Sequence, residues 1–369
     1  MAHIISAIWS GIERSLFPAI EVALDEELSD DLKRVVSTLE IVRIEEATRP
    51  AVWQVRGRPR SCRASIARAF VAKAELNIPE TKRLRQRLLT DVALRRICGF
   101  RRQQDVPSES TLSRAFAEYA KAELGRHVHE ALVAKHVGGA VVMHVCRDST
   151  EISAREKPAK KPAKEPKPPK KRGRKGKNDP PRELTRLERQ RKQMPEEAFA
   201  ELPTACDFGC KQDTNGKLHH WKGYKEHIDW ADNGFPLTLC ITSASVHDSQ
   251  IAIPMAKHTA AKCVVLYELM DSAYDADQIH AAIRELGHVP IIAIHSRRTT
   301  AEPFDPATER RYNVRTAAER GNARLKDEFG GRYIRVRGAM KVHQHVMFGV
   351  LALCASVLLN MATVPNGPP

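Results

Sequence analysis

The sequence predicts an α/β fold, a mixed five-stranded sheet with flanking helices preceded by an all-helical N-terminal domain. Three observations carry this. Two Val-rich apolar runs, Gly139–Cys146 and Cys263–Met270, read as buried strands, and each delivers an aspartate at or just beyond its C-terminal end, Asp148 and Asp271. Three further segments between about residues 218 and 294 (Leu218–Ile228, Pro236–Ser243 and Val289–Ile294) complete the strands, with helical patterns at Gln250–His258 and Asp275–Leu286. The segment Tyr312–Lys326 has the spacing Tyr-x2-Arg-x3-Glu-x6-Lys. On one continuous helix Arg315, Glu319 and Lys326 would fall within about 60° of Tyr312, a carboxylate flanked by two cations and a phenol.

In chain order, Met1–Arg49 alternates apolar and acidic residues, with Ser29-Asp30-Asp31 as a helix cap. Arg60–Phe70 and Thr81–Ile97 are basic with apolar residues at helical spacing, Gly99 breaks the second, and a further helix starts near Ser108 or Ser110. A basic helix, a Gly-containing turn and a capped helix fit a helix-turn-helix, making Arg85, Arg87, Arg95, Arg96, Arg101, Arg102 and Arg114 candidate DNA contacts. A helical bundle whose arginines face water fits the same pattern. Thr316–Phe329 is the helix of the charged stripe, and the apolar stretch Val346–Val364 is near the length of a membrane span. Its Ser356 and Asn360 and its lack of an aromatic belt favour a helix buried against the sheet, and no membrane partner is expected.

The chain has 369 residues and a net charge of +15, which favours polyanionic partners because phosphate neutralisation releases counterions. Arg155–Lys177 holds twelve Lys or Arg against two Glu and supplies +10 of that excess. Rich in Pro and Ala, it cannot bury a core, and 155–203 reads as a disordered basic insert in a catalytic domain spanning 136–364, after an N-terminal domain spanning 1–135. Glu183–Arg191 is a candidate short helix, and Lys171–Lys175, with Arg172 and Arg174, a candidate DNA-gripping hook. The eight cysteines are scattered, with no signal peptide ahead of them, as expected for a cytoplasmic protein. Cys206-x3-Cys210 followed by His219-His220 lacks usual zinc spacing.

Two strand-end carboxylates and one helical carboxylate are what a site for two hard divalent cations needs. At these residues the sequence resembles the DDE transposases of bacterial insertion sequences, in the branch with a Tyr-Arg-Glu-Lys signature. Asp148-Ser149-Thr150, Asp271-Ser272-Ala273-Tyr274-Asp275, and Tyr312, Arg315, Glu319 and Lys326 match its three blocks; His220–His227, Ser245–Gln250 and Leu84–Phe100 resemble its intervening and N-terminal elements. The resemblance implies a ribonuclease H-like catalytic domain in which Asp148, Asp271 and Glu319 hold two Mg²⁺ ions, with Mn²⁺ as a substitute. It further implies that Tyr312, Arg315 and Lys326 contact DNA near the cleavage point. The implied partner is double-stranded DNA, both transposon ends and target, bound by a homodimer. A nuclease of the same fold that cuts without joining, and a non-catalytic DNA-binding derivative, are the alternatives.

Overall fold

The structure, a computed structural model, describes residues 28–48, 60–160, 182–212, 215–294 and 303–363. Among the described residues six α-helices precede the sheet: α1 (Asp30–Val42), α2 (Arg63–Glu75), α3 (Thr81–Thr90), α4 (Val92–Ile97), α5 (Glu109–Lys121) and α6 (Leu124–His136). Their starts follow capping chemistry: Ser29 Oγ accepts from Leu32 N at 3.4 Å and Ser108 Oγ from Thr111 N at 3.3 Å. The basic segment expected as one helix over Thr81–Ile97 is two, because Asp91 takes an extended conformation and caps α4 through Leu94 N at 2.9 Å.

The sheet has six strands: β1 (Val141–Ser153), β2 (Asp207–Gln212), β3 (Leu218–Ala231), β4 (Pro236–Ser243), β5 (Val264–Met270) and β6 (Val289–Ile292). β1–β3, β3–β4 and β2–β3 are antiparallel, whereas β1–β5 and β5–β6 are parallel. β2 is an addition to the five strands expected from the sequence; it pairs with Leu218–Gly223, the part of β3 that overhangs β4. β1 also continues past its apolar run. Thr150 and Ile152 are buried at alternate positions and the pairing with β3 runs on to Ser153, so Asp148 lies within the strand rather than at its end.

Residues 182–203, expected within a disordered insert, form α7 (Arg186–Lys192) and α8 (Pro195–Ala200). Thr185 and Glu188 make a capping box, Pro195 opens α8, and Lys257 Nζ donates to the carbonyls of Gln190, Arg191 and Gln193 at 2.7–2.9 Å. Local capping, one cation and the packing of Leu187, Phe199 and Leu202 into an apolar cluster anchor a segment whose overall composition predicts no core. The partner in that anchoring is α9 (Ser249–Ala260); α10 (Asp277–Glu285), α11 (Pro306–Asn313), α12 (Thr316–Asp327) and α13 (Ala339–Thr363) complete the chain.

The two sheet faces differ. On the α9 side, Arg147 is fully buried, donating to Asp229 from Nε and Nη2 at 2.7 and 2.8 Å and to Glu268 from Nη1 at 2.9 Å, while Thr259 of α9 donates to Asp229 at 2.6 Å. On the opposite face α12 packs on β1 and β3. There Gly321 lets the helix lie against Trp230, since a Cβ would approach Trp230 Cε3 to 2.7 Å. α13 is, among the described residues, the helix long and apolar enough to cross a membrane, yet it lies in the core. It packs against α2, α5 and α6, with Phe348 stacked on Phe70 at 5.5 Å and Gln344 Oε1 accepting from Gly125 N at 3.1 Å.

Candidate active site

The parallel register of β1 and β5 sets the site. Cys146 pairs with Leu269, so two residues further on Asp148 comes level with Asp271, which leaves β5 and accepts from Ala273 N at 2.9 Å. The third part arrives on α12. Asn322 Nδ2 donates to Asp148 Oδ2 at 3.0 Å, tying the helix to the strand. Glu319 lies one turn earlier, and its Oε1 accepts from Arg315 Nη2 at 2.6 Å. The Arg315 guanidinium lies 5.7 Å from the centre of the Tyr312 ring.

Tyr312 and Glu319 do not share one helix. α11 ends at Asn313 and α12 begins at Thr316, but Val314 and Arg315 keep right-handed helical angles and bonds of the i→i+3 kind bridge the joint. The stripe inferred from uniform helical spacing is thus interrupted, and Arg315 still links Tyr312 with Glu319 across the joint.

Burial pushes Asp148 up to about 6, with neighbouring Asp271 adding to it and the Ser149 N–H, Lys211 and Arg315 opposing. Burial likewise raises Asp271, with Asp248 adding to it against the Ala273 N–H, Arg315 and Lys211. Asp248 behaves oppositely: burial works to raise it, but His227, Lys225 at 2.8 Å and Ser149 hold it below the ordinary range. The Tyr274 hydroxyl, within the field of all three aspartates, is buried without a hydrogen-bond partner among the described residues.

Two adjacent half-buried carboxylates, all oxygen donors, fit a hard divalent cation. Among the described residues no three His, Cys, Asp or Glu converge as a metal cluster, and Glu319, its side chain 55% exposed, would join the pair by turning from Arg315. The Cys210 Sγ lies 3.9 Å from His220 Nε2 with no third ligand.

Of the sequence-derived candidates, the structure thus gathers Asp148, Asp271, Tyr312 and Arg315, with Glu319 at the edge. Lys326 stands further along β1, where burial lowers it against the pull of Glu151. Arg172 and Arg174 lie outside the described residues. Sequence reasoning missed Asn322 and Lys211, and met Asp248 only inside the element Ser245–Gln250 without giving it a role. Asn322 follows Glu319 by one helical turn, so its spacing was a usable signal; Lys211 was hidden because β2 was not recognised.

A mixed sheet carrying two carboxylates on neighbouring parallel strands, with a carboxylate-bearing helix laid across them, defines a ribonuclease H-like catalytic fold. The family described as Transposase DDE domain matches residues 143–355, more than half of the chain, and a family described as Transposase domain matches residues 22–118. The chain belongs to the transposase DDE domain family and is an insertion-sequence transposase. No curated protein and no solved structure matches it.

Proposed function

We propose that this transposase, of the branch with the Tyr-Arg-Glu-Lys signature, binds the terminal inverted repeats of its element and catalyses metal-dependent DNA strand cleavage and strand transfer. The observation that carries the reading is the half-buried pair Asp148 and Asp271, brought level by the parallel register of β1 and β5. Asp148, Asp271 and, after rotation, Glu319 are the residues that would hold two Mg²⁺ ions, with Mn²⁺ able to substitute. When bound, such cations supply Lewis-acid activation of the attacking oxygen and charge neutralisation at the leaving oxygen. Arg315, planar and permanently charged, grips a phosphate oxygen beside the pair, and the Tyr312 ring holds its guanidinium in place. Lys326 contributes a point charge to the same DNA strand. Asn322 keeps the Glu319 helix against Asp148. Joining needs two ends held together, so the working form is a homodimer on DNA, in the cytoplasm where its DNA lies.

The test is substitution. Asp148→Ala, Asp271→Ala and Glu319→Ala each abolish cleavage of an end-bearing duplex and leave its binding intact. Loss of binding in all three would refute the metal-holding assignment.

A further inference from the structure

Away from the catalytic aspartates, a cavity of about 400 Å³ opens where the N-terminal helices meet the chain that follows β1 and α12. Its apolar side is Phe70, Phe116, Phe329 and Phe348. Its polar side is Lys73, Arg155, Arg335, Arg337 and Lys341. Glu80 at the rim reaches Arg335 at 3.7 Å.

Lys73 is the unusual member. It is 6% exposed, and among the described residues its Nζ has no hydrogen-bond partner. The ammonium opens onto the cavity, which presents it together with Arg155, Arg335, Arg337 and Lys341 to an anion. Burial pulls Lys73 down to about 8, with Glu80 only partly opposing. Next to it, burial and Lys73 itself hold His345 at about 4, so the imidazole is neutral at ordinary pH and adds no competing charge.

The cavity is aligned with the catalytic site. Arg155 stands seven residues beyond Asp148, just past the end of β1, about 20 Å away at the rise of an extended chain. Between them, around Glu151, lie Lys326, Lys211 and Arg332. Further cations thus lie between the catalytic site and the cavity mouth, where Arg155, Arg335, Arg337 and Lys341 are all exposed. An isolated small anion needs the buried end alone; a mouth ringed by exposed cations suits an extended polyanion.

We propose that this cavity is a second phosphate-binding site for the DNA, seating a backbone phosphate about 20 Å from the scissile one, with Lys73 as its buried counter-charge and Arg337 and Lys341 at its mouth. The site deepens the DNA-binding reading above and rests on it. Because its walls come from α2 and α5 on one side and from the segments after β1 and α12 on the other, DNA seated there is held by both parts of the chain at once.

The experiment uses the full chain and an end-bearing duplex, with affinity measured across a salt series for wild type, Lys73→Met and Arg337→Gln. Arg337 is exposed, so its variant keeps the test valid if Lys73→Met does not fold. Each substitution is expected to reduce the slope of log affinity against log salt by about 0.9, the loss of one phosphate contact. A duplex with one neutral methylphosphonate, moved along the strand, should weaken wild type at each contacted phosphate, and Lys73→Met should be indifferent only at the one about 20 Å from the scissile phosphate. Salt-dependent binding by wild type with unchanged slopes in both variants overturns the cavity site while leaving the transposase reading standing. Inorganic pyrophosphate that binds wild type and not Lys73→Met, with duplex slopes unchanged, would reassign the cavity to a small anion. Absence of salt-dependent duplex binding by wild type would remove both readings together.

Discussion

Asn322 and Asp148 meet across the gap between α12 and β1, the amide Nδ2 donating to the carboxylate Oδ2 at 3.0 Å. The bond fixes the helix that carries Glu319 against the strand that carries the first aspartate. A hydrogen bond to a charged group contributes about 1.5–3 kcal/mol, more than one to a neutral partner. Asn322→Ala should therefore cost more stability at pH 8, where Asp148 is ionised, than at pH 5, where it is largely protonated. Urea unfolding at the two pH values checks this, and equal costs would show that the bond does not favour the ionised form.

Asp148 also predicts a pH dependence. Its carboxyl is raised from 3.8 to about 6, so the folded state holds its proton to higher pH than the unfolded state does. Stability contributed by this group is therefore fully present below about pH 4 and is lost as pH rises through about 6. The difference of roughly two pH units sets a ceiling of about 3 kcal/mol. In metal-free solution Asp148→Asn should flatten this decline and be the more stable protein at pH 8. Mg²⁺ should restore stability to the wild type at that pH and have little effect on the variant. A Mg²⁺ response of equal size in both proteins would contradict the assignment.

Gly321→Ala sets two effects against each other. In a helix interior the change ordinarily stabilises by about 0.5–1 kcal/mol. Here the new methyl would lie 2.7 Å from the buried Trp230 ring, and overpacking of that kind costs about 1–3 kcal/mol. The expected net result is destabilisation, with α12 displaced from β3 and cleavage lowered more than duplex binding. A variant of higher unfolding midpoint and full cleavage would show that the sheet yields at no cost.

Arg147 supports the site from behind. Removing the cation by Arg147→Met leaves Asp229 and Glu268 as buried charges without their main partner. The loss expected for breaking a buried ion pair is about 3–5 kcal/mol. Denaturant unfolding should show it, whereas a loss below about 1 kcal/mol, as for exposed pairs, would mean that water or a proton neutralises the carboxylates.

Much of this was legible in the chain. The apolar runs ending near Asp148 and Asp271 placed both aspartates on neighbouring strands, since a buried parallel pair reads as continuous Val-rich sequence. Glu319 and Arg315 were visible through helical spacing. What escaped detection was decided by tertiary partners. Strand β2 has no hydrophobic alternation and exists because β3 overhangs β4. The break between α11 and α12 has no Pro or Gly to announce it. Residues 182–203 look solvated until Lys257 of α9 is there to bind their carbonyls. Arg147 reads as one more basic residue, and only the paired carboxylates of β3 and β5 explain its burial.

The most direct test of the central claim is cleavage of a DNA fragment carrying the sequence that flanks the gene, incubated with purified protein and Mg²⁺ or Mn²⁺, for wild type and Glu319→Gln. The account predicts strand cleavage at the repeat ends by wild type alone, in either metal, with both proteins binding the fragment. Binding by wild type without cleavage in either metal would contradict it and leave a DNA-binding protein without catalytic activity.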